Sequence, residues 1–260
     1  MRDFEKKVCL LTGAATIGLA IADKFIQLGA SVVVGALELG SDVDRKAAYA
    51  EQFDFIKTDI TSDASLRALL DFTLQKYGRV DVLVNCAAAY ADDGPLTSRE
   101  TWLRTLDTNV VSAAVFGEMV RPYLKASVGN IINIGSVSGV FPHIQRWSYP
   151  VSKAALLHLT KTQAVEYAAD KIRVNMVRLG HVWSLPFEGL TKNDRAHADE
   201  VTSSFNLMGR IANAEEVANV VAFVASAEAS YMTGNETVVD GGYSAMGPEQ
   251  HEPLFPKLAK

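Results

Sequence analysis

Short apolar runs alternate with amphipathic segments along the chain, and this alternation constrains the fold more than any other feature. The first cycle lies within residues 8–34: the run Val8–Leu11, a glycine-containing loop, an amphipathic segment ending at Gly29, and the run Val32–Val34. Such a strand–loop–helix–strand unit forms two parallel strands joined by a helix. Because the cycle recurs to the end of the chain, we predict an α/β fold. It should be a Rossmann-type, doubly wound parallel sheet of about seven strands with helices on both faces.

The remaining elements follow from the same periodicities. The later predicted strands are Phe53–Lys57, Val80–Val84, Asn130–Ile134, Arg173–Val177 and Glu236–Val239, and the later helices are Ser65–Tyr77, Trp102–Leu124, Tyr149–Tyr167 and Glu215–Ala225. No linker or repeat divides the chain, so we predict a single domain over residues 1–260. Residues 184–208 lack periodicity and are predicted to form a flexible substrate lid. Residues 243–260 form a C-terminal tail, either packed at a subunit interface or disordered.

Composition excludes several classes of function. With 260 residues, 48% of them hydrophobic, the chain can bury the core of one large domain. A net charge of −5 argues against a nucleic-acid or anionic-membrane binder. No signal sequence and no membrane-spanning run is found, so we expect a cytoplasmic protein. Cys9 and Cys86 lie in apolar runs as buried thiols, and the five histidines lack metal-ligand spacing, so no metal is expected.

Tyr149 and Lys153 stand four residues apart at the start of a predicted helix. Residues at this spacing share a helix face, so the ammonium group can lie beside the phenol. A free phenol has a pKa near ~10, and a nearby cation lowers it. The pair can therefore act as an acid/base unit, although a solvated helix face would show the same spacing.

Several small or polar residues directly follow predicted strands. Because ligands of parallel α/β sheets bind at the carboxyl ends of the strands, these residues are expected to converge on one crevice. They are Gly13, Asp59, Asn85, Ser136 and Gly180. The first of them lies in a loop between a strand and a helix, where backbone N–H groups can bind a pyrophosphate.

Taken together, these motifs resemble the short-chain dehydrogenase/reductase family in its compact, single-domain form. The resemblance extends from about Lys7 to Gly242. Its landmarks are Thr12-Gly13…Gly18, Thr58-Asp59-Ile60, Asn85-Cys86-Ala87-Ala88, Asn109, Ser136, Tyr149…Lys153, Gly180 and Val238-Val239-Asp240-Gly241-Gly242. The resemblance implies an oxidoreductase that transfers a hydride between a nicotinamide cofactor and a secondary alcohol or ketone.

The resemblance also implies a role for each of four residues. Tyr149 would be the general acid/base, Lys153 would lower its pKa and hold the nicotinamide ribose, and Ser136 would hydrogen-bond the substrate oxygen. Asn109 would hold a water that leads from Lys153 to solvent. Two alternatives stay open: Ser138 is a rival of Ser136, and Asn109 could instead satisfy a neighbouring backbone group.

The cofactor, NAD or NADP, is expected along the strand ends. The predicted contacts are Gly13, Thr16, Ile17, Gly18, Ala36, Asp59, Ile60, Asn85, Ala87, Tyr149, Lys153, Gly180, Val182 and Ser184. The loop is one glycine shorter than the family pattern, which bears on cofactor affinity, and Ala88 and Leu179 replace a usual glycine and proline. Ala36 stands where an acid would select NAD. Nearby Glu38 favours NAD, whereas Arg45 and Lys46 lie further along.

Substrate contacts are expected from loops over the crevice. The candidates are Ser138, His143, Trp147 and Trp183, with Tyr90, Phe141 and Phe187 as further ring-bearing neighbours. These rings suggest an apolar or ring-bearing alcohol. The resemblance implies a homotetramer, or a homodimer, formed through the two long helices. A competing hypothesis is a non-catalytic nucleotide-binding or sensing protein, which the shortened loop favours. An extended-family epimerase or dehydratase would need a further substrate domain.

Overall fold

A computed structural model describes residues 4–39 and 51–247, together with residues 256 and 258. Seven parallel strands form one sheet in the order β3-β2-β1-β4-β5-β6-β7. The strands are β1 (Val8–Thr12), β2 (Ser31–Ala36), β3 (Phe53–Lys57), β4 (Val82–Asn85), β5 (Asn130–Ser136), β6 (Arg173–Leu179) and β7 (Glu236–Val239). The order reverses between β1 and β4, which is the switch point where such sheets open a crevice. The predicted doubly wound parallel sheet is thus confirmed.

The helices cover both faces of this sheet. Their bounds are α1 (Thr16–Gln27), α2 (Asp63–Tyr77), α3 (Arg99–Leu106), α4 (Ser112–Ser127), α5 (Ser148–Tyr167), α6 (Leu185–Thr191), α7 (Arg195–Thr202) and α8 (Ala214–Ala225). On β1, Cys9 and Leu11 pack in the core that includes α1 and α8, whereas Leu10 packs in the core that includes α2, α4 and α5. Alternate residues of a strand point to opposite faces, so an uninterrupted apolar strand supplies both cores.

The predicted helix Trp102–Leu124 is wrong in one respect. It is divided into α3 and α4 by a π-helical turn, Asp107–Val111. A π turn accommodates one more residue than an α-helical path of the same length. It lies around the buried side chain of Asn109, whose hydrogen bonds are described below.

Residues 184–208 also differ from the prediction, since they contain α6, α7 and a 3₁₀ turn, Ser203–Phe205. Both helices are short. Pro186 lies in the first turn of α6, and Asp194 caps α7 by accepting a hydrogen bond from the His197 N–H at 2.9 Å. Capping residues therefore stabilise short helices in this segment, although it lacks the repeating apolar pattern of a long amphipathic helix.

Among the described residues, no helix is long and apolar enough to cross a membrane, and no group of acidic, histidine and cysteine residues could hold a metal ion. Most of the predicted C-terminal tail, and Arg45 and Lys46, lie outside the described residues. The described start of the tail is a 3₁₀ turn, Tyr243–Ala245.

Candidate active site

The turn between β1 and α1 leaves backbone donors free for an anion. Gly13 has φ = +97°, and a Cβ atom there would lie 2.8 Å from the backbone N of Ala87. Helix α1 begins at Thr16, and its N-cap residue Ala15 provides no side-chain cap. The first N–H groups of a helix have no partner within the helix. Those of Thr16, Ile17 and Gly18 therefore suit a pyrophosphate, even though the loop is one residue short.

The ends of β2 and β3 carry the residues predicted to meet the adenosine half of the cofactor. Ala36 ends β2 half-buried, and Glu38 is exposed beyond it. Asp59 is exposed after β3 and accepts hydrogen bonds from the N–H and hydroxyl of Thr61 at 3.0 and 2.7 Å. These bonds hold the pKa of Asp59 below its usual value. Ile60 is half-buried beside it. A carboxylate and a small residue thus stand at this edge, together with the exposed side chain of Lys57, which ends β3 beside Ala36.

Asn85, at the end of β4, turns its amide into the sheet. Its Nδ2 donates to Asn133 Oδ1 at 2.8 Å, and Asn133 Nδ2 donates to Thr160 Oγ1 at 2.9 Å. This buried polar chain ties β4 to β5 and α5. The Asn85 side chain therefore has a structural role below the crevice. Half-buried Ala87, next to Gly13, lies at the surface of the crevice.

Asn109 fixes the segment that follows β4. Its Oδ1 accepts from the Ala89 N–H at 2.7 Å, and its Nδ2 donates to Ala89 O at 3.0 Å and to Ser152 Oγ at 2.9 Å. Asn109 therefore satisfies both backbone groups of Ala89, which is the structural role that the sequence left open. Asn109 also lines a cavity of about 10 Å³ with Thr12, Asn85 and Ser112. Such a volume holds about one water molecule when polar groups line it.

Tyr149 and Ser136 meet at the end of β5. The Ser136 side chain lies near enough to the Tyr149 phenol to lower its pKa, and the Tyr149 ring stacks on Tyr90 with centroids 5.2 Å apart. Burial raises the pKa of Tyr149 to about 12, against the opposing effect of Ser136. Ser138, the rival, donates its backbone N–H to Ser136 Oγ at 3.2 Å. Of the two serines, Ser136 is the one whose side chain lowers the pKa of the phenol.

Lys153 is buried one turn further along the same helix face. Its Nζ donates to Ile134 O at 2.9 Å and lies 5.7 Å from the centre of the Tyr149 ring. Burial lowers the pKa of Lys153 to about 8. The expected lowering of the Tyr149 pKa is not found, because burial of the phenol outweighs the charges around it.

The end of β6 carries the residues predicted for the nicotinamide half. A Cβ atom on Gly180 would lie 2.7 Å from Asp240 Cα, so the ends of β6 and β7 approach closely there. Val182 is buried, and Ser184 donates its hydroxyl to Val182 O at 2.9 Å. Leu179, in place of the usual proline, is the last residue of β6.

A cluster of aromatic rings forms the side wall of the crevice beyond β5, β6 and β7. His181 lies at its centre, with ring centroids 5.8 Å from Tyr243, 5.9 Å from Phe187 and 6.2 Å from Phe205. Tyr243 also contacts Phe141 at 5.6 Å and His143 at 6.3 Å. Burial lowers the pKa of both histidines, so they favour their neutral forms.

Tyr243 was not expected in the crevice from sequence, because it was assigned to the tail. The sequence offered His181, like His143, only as a histidine that could add a polar contact to the substrate. The available signal was position, because each follows the end of a strand by a few residues. By contrast, Trp183 packs on the guanidinium of Arg195 at 5.5 Å, and Trp147 is exposed at the start of α5.

Comparison with known proteins adds four findings to this geometry. A family model described as enoyl-(acyl carrier protein) reductase matches residues 13–244. A cis-4-hydroxycyclohexanecarboxylate dehydrogenase of Sinomonas cyclohexanicum is 34% identical over 94% of this chain and 98% of its own.

Two solved structures are similar over nearly their whole length. A short-chain type dehydrogenase/reductase from Mycobacterium marinum has a TM-score of 0.85 and 32% identity, covering 94% of this chain and 98% of that one. The L-sorbose reductase of Gluconobacter frateurii, solved with NADPH and L-sorbose, has a TM-score of 0.86 and 28% identity, covering 95% and 99%.

Proposed function

The chain belongs to the short-chain dehydrogenase/reductase family, and from this premise we propose that it catalyses NAD(P)-dependent hydride transfer between a secondary alcohol and its ketone. The observation that carries the proposal is the meeting of Ser136 and Tyr149 at the end of β5, with Lys153 buried behind them. A hydroxyl donor, a titratable phenol and a cation are the groups that a reacting carbonyl or alcohol oxygen requires.

The dinucleotide fits the residues at the strand ends. The uncapped first turn of α1 would hold its pyrophosphate, the edge around Ala36 and Asp59 its adenosine, and the region of Lys153, Gly180 and Ser184 its nicotinamide half. When bound, it supplies the hydride donor or acceptor. Exposed Glu38 near the end of β2 favours NAD over NADP, because it would repel a 2′-phosphate.

The proton of the reaction is handled by this chain's own groups. In ketone reduction the Tyr149 hydroxyl gives its proton to the carbonyl oxygen, and in alcohol oxidation the phenolate takes it back. Ser136 donates a hydrogen bond to the same oxygen and stabilises its developing charge. Because burial raises the pKa of Tyr149 to about 12, the phenol carries its proton at neutral pH and is ready for reduction. Lys153 does not line the cavity at Asn109, so a water-mediated path from Lys153 to solvent stays a prediction.

The aromatic cluster favours a ring-bearing substrate with an acidic group. Its neutral rings form an apolar wall, while exposed Arg146 adds a positive charge nearby. Arg146 Nη1 donates to Tyr90 O at 3.2 Å, and the ring of Tyr90 stacks on that of Tyr149, so this charge lies near the phenol. The relative from Sinomonas, named for a cyclohexane ring bearing a carboxylate, agrees with this chemistry.

Arg146→Gln tests this substrate class. We expect the KM for a cyclic hydroxy acid to rise about tenfold, because a charge-assisted contact is lost, while that for an uncharged cyclic alcohol changes less than twofold. Arg67→Gln, at an exposed position on α2, is the matched control. Equal effects on both substrates would mean that Arg146 does not recognise the acidic group.

The experiment that tests the function begins with binding. NAD, NADH, NADP and NADPH are titrated separately, and the tightest is then supplied with cyclic alcohols and ketones while reduced-nicotinamide absorbance is followed. Binding with turnover supports the oxidoreductase. Binding without turnover on any substrate would favour the alternative, a nucleotide-binding or sensing protein. No binding at millimolar concentration would overturn both. Light scattering with size-exclusion chromatography tests the homotetramer proposed through α4 and α5.

A further inference from the structure

Helix α5, which carries Tyr149 and Lys153, has no cap of its own. It begins at Ser148, and Trp147 at the N-cap position supplies no side-chain acceptor. Pro150 in the first turn has no N–H and needs no partner. The backbone N–H groups of Trp147 and Tyr149 nevertheless require an acceptor, since no turn of helix precedes them.

The missing cap comes from Asp92, on the loop after β4. The Trp147 N–H donates to its two carboxylate oxygens at 2.9 and 2.8 Å, and the Tyr149 N–H donates to Oδ2 at 2.9 Å. The same carboxylate accepts from the Gly94 N–H and from Thr97 Oγ1, both at 3.1 Å. The bonds from Gly94 and Thr97 fix the carboxylate within its own loop. The bonds from Trp147 and Tyr149 join it to the start of α5.

Neighbours of Asp92 reinforce this junction. Ser148 Oγ donates to Ala91 O at 3.2 Å, and the ring of Tyr90 stacks on that of Tyr149. At the other end, Gly94 packs against the backbone of Gln145, where a Cβ atom would lie 3.1 Å from Gln145 Cα. Gln145 has φ = +62°, a conformation that a residue other than glycine keeps only when its surroundings impose it. The loop therefore contacts the entry to α5 from both sides.

We propose that Asp92 is a positioning residue for hydride transfer: its carboxylate fixes the backbone of Tyr149 and, through it, the place of the phenol. The inference rests on the proposed function. Tyr149 is the second residue of α5, and the ends of helices fray when their N–H groups lack acceptors. A frayed first turn would move the phenol away from Ser136, while Lys153, one turn further in, would stay in place.

Three substitutions at Asp92 test the proposal. Asp92→Ala removes the acceptor, Asp92→Asn keeps one acceptor oxygen without charge, and Asp92→Glu restores the carboxylate. Because a displacement of about 1 Å can slow an enzyme about 100-fold, we expect kcat to fall about 10- to 100-fold in the alanine variant and less in the asparagine variant. The glutamate variant should recover part of the loss. Dinucleotide Kd should change less than twofold throughout.

Asp93→Asn is the matched control, since it removes the same charge from an exposed neighbouring side chain. It should leave kcat unchanged. If Asp92→Asn and Asp92→Ala fold, bind dinucleotide and retain wild-type kcat, the proposal is overturned. A merely structural role predicts instead a lower melting temperature with kcat unchanged in the folded fraction. If the alanine variant does not fold, the kcat values of the asparagine and glutamate variants test the proposal in its place.

Amide hydrogen exchange provides a readout that does not depend on turnover. The proposal predicts faster exchange of the Trp147 and Tyr149 amides in Asp92→Asn, with later α5 amides unchanged. If exchange is faster but the protein turns over no alcohol or ketone, the result counts against the proposed function while still supporting Asp92 as the cap of α5. Unchanged exchange at both amides would overturn the positioning role whether or not the protein is an enzyme.

Discussion

Gly18→Ala is expected to destabilise the protein although the position is helical. Within a helix, alanine is normally more favourable than glycine by about 0.8–1.0 kcal/mol. A Cβ atom on Gly18, however, would lie 2.1 Å from the carbonyl oxygen of Gly13, and real Cβ contacts rarely fall below 3.0 Å. The turn must therefore move by about 0.9 Å to accept one methyl group.

The magnitude follows from two opposing effects. Overpacking costs about 1–3 kcal/mol, and an immobile backbone oxygen puts this case at the upper end. After subtraction of the helical preference of about 1 kcal/mol, we expect a net loss of about 2 kcal/mol in the free energy of unfolding. Displacement of the turn should also weaken dinucleotide binding about tenfold, equivalent to about 1.4 kcal/mol.

Gly189→Ala in α6 provides the matched control, because a Cβ atom there would meet nothing within 4 Å. It should stabilise the protein by about 0.5–1 kcal/mol. Urea unfolding measures both free energies, and NADH titration measures the affinity. If Gly18→Ala is as stable as Gly189→Ala and binds NADH normally, the turn is more compliant than its geometry implies and the reasoning is refuted.

Two further predictions concern the catalytic pair. Tyr149→Phe should lower kcat by about 10²–10⁴-fold while dinucleotide Kd stays within about twofold, because only the proton transfer is lost; near-normal turnover would remove Tyr149 from the acid/base role. Lys153→Met should abolish activity yet raise the free energy of unfolding at pH 7 by about 1–3 kcal/mol, since burial lowers the pKa of the lysine from 10.5 to about 8. Between those pH values Lys153 binds more proton in the unfolded state than in the folded state, so its own contribution to stability rises with pH, and the stability advantage of the methionine variant over the wild type should shrink across this range.

The arrangement of strands could be predicted because the sequence repeats one physical pattern. Apolar runs such as Phe53–Lys57 and Glu236–Val239 fold as strands with the predicted bounds. The π turn could not be predicted, because one additional residue hardly changes the periodicity over residues 102–124. It is formed by the contacts of Asn109 with Ala89 and Ser152, which lie far from it in sequence.

In the candidate site, too, some features could be predicted from the sequence and others could not. The spacing of Tyr149 and Lys153 places both on one face of α5, and this follows from helical geometry alone. The pKa of Tyr149 does not, because it depends on how deeply the fold buries the phenol. Asp92 is a further example: its sequence neighbourhood reads as an ordinary loop, and only tertiary structure brings its carboxylate to the start of α5.

The π turn also determines where the chain tolerates a change of length. Successive residues of an α-helix are rotated by about 100°, so deleting one residue within Asp107–Val111 would join α3 and α4 into one helix and rotate everything before it by about that angle. Buried Thr105 would then point elsewhere, and Asn109 could not keep its bonds to both Ala89 and Ser152. Insertions and deletions should therefore be rejected at this turn, which can be read in any length-variant library of the protein.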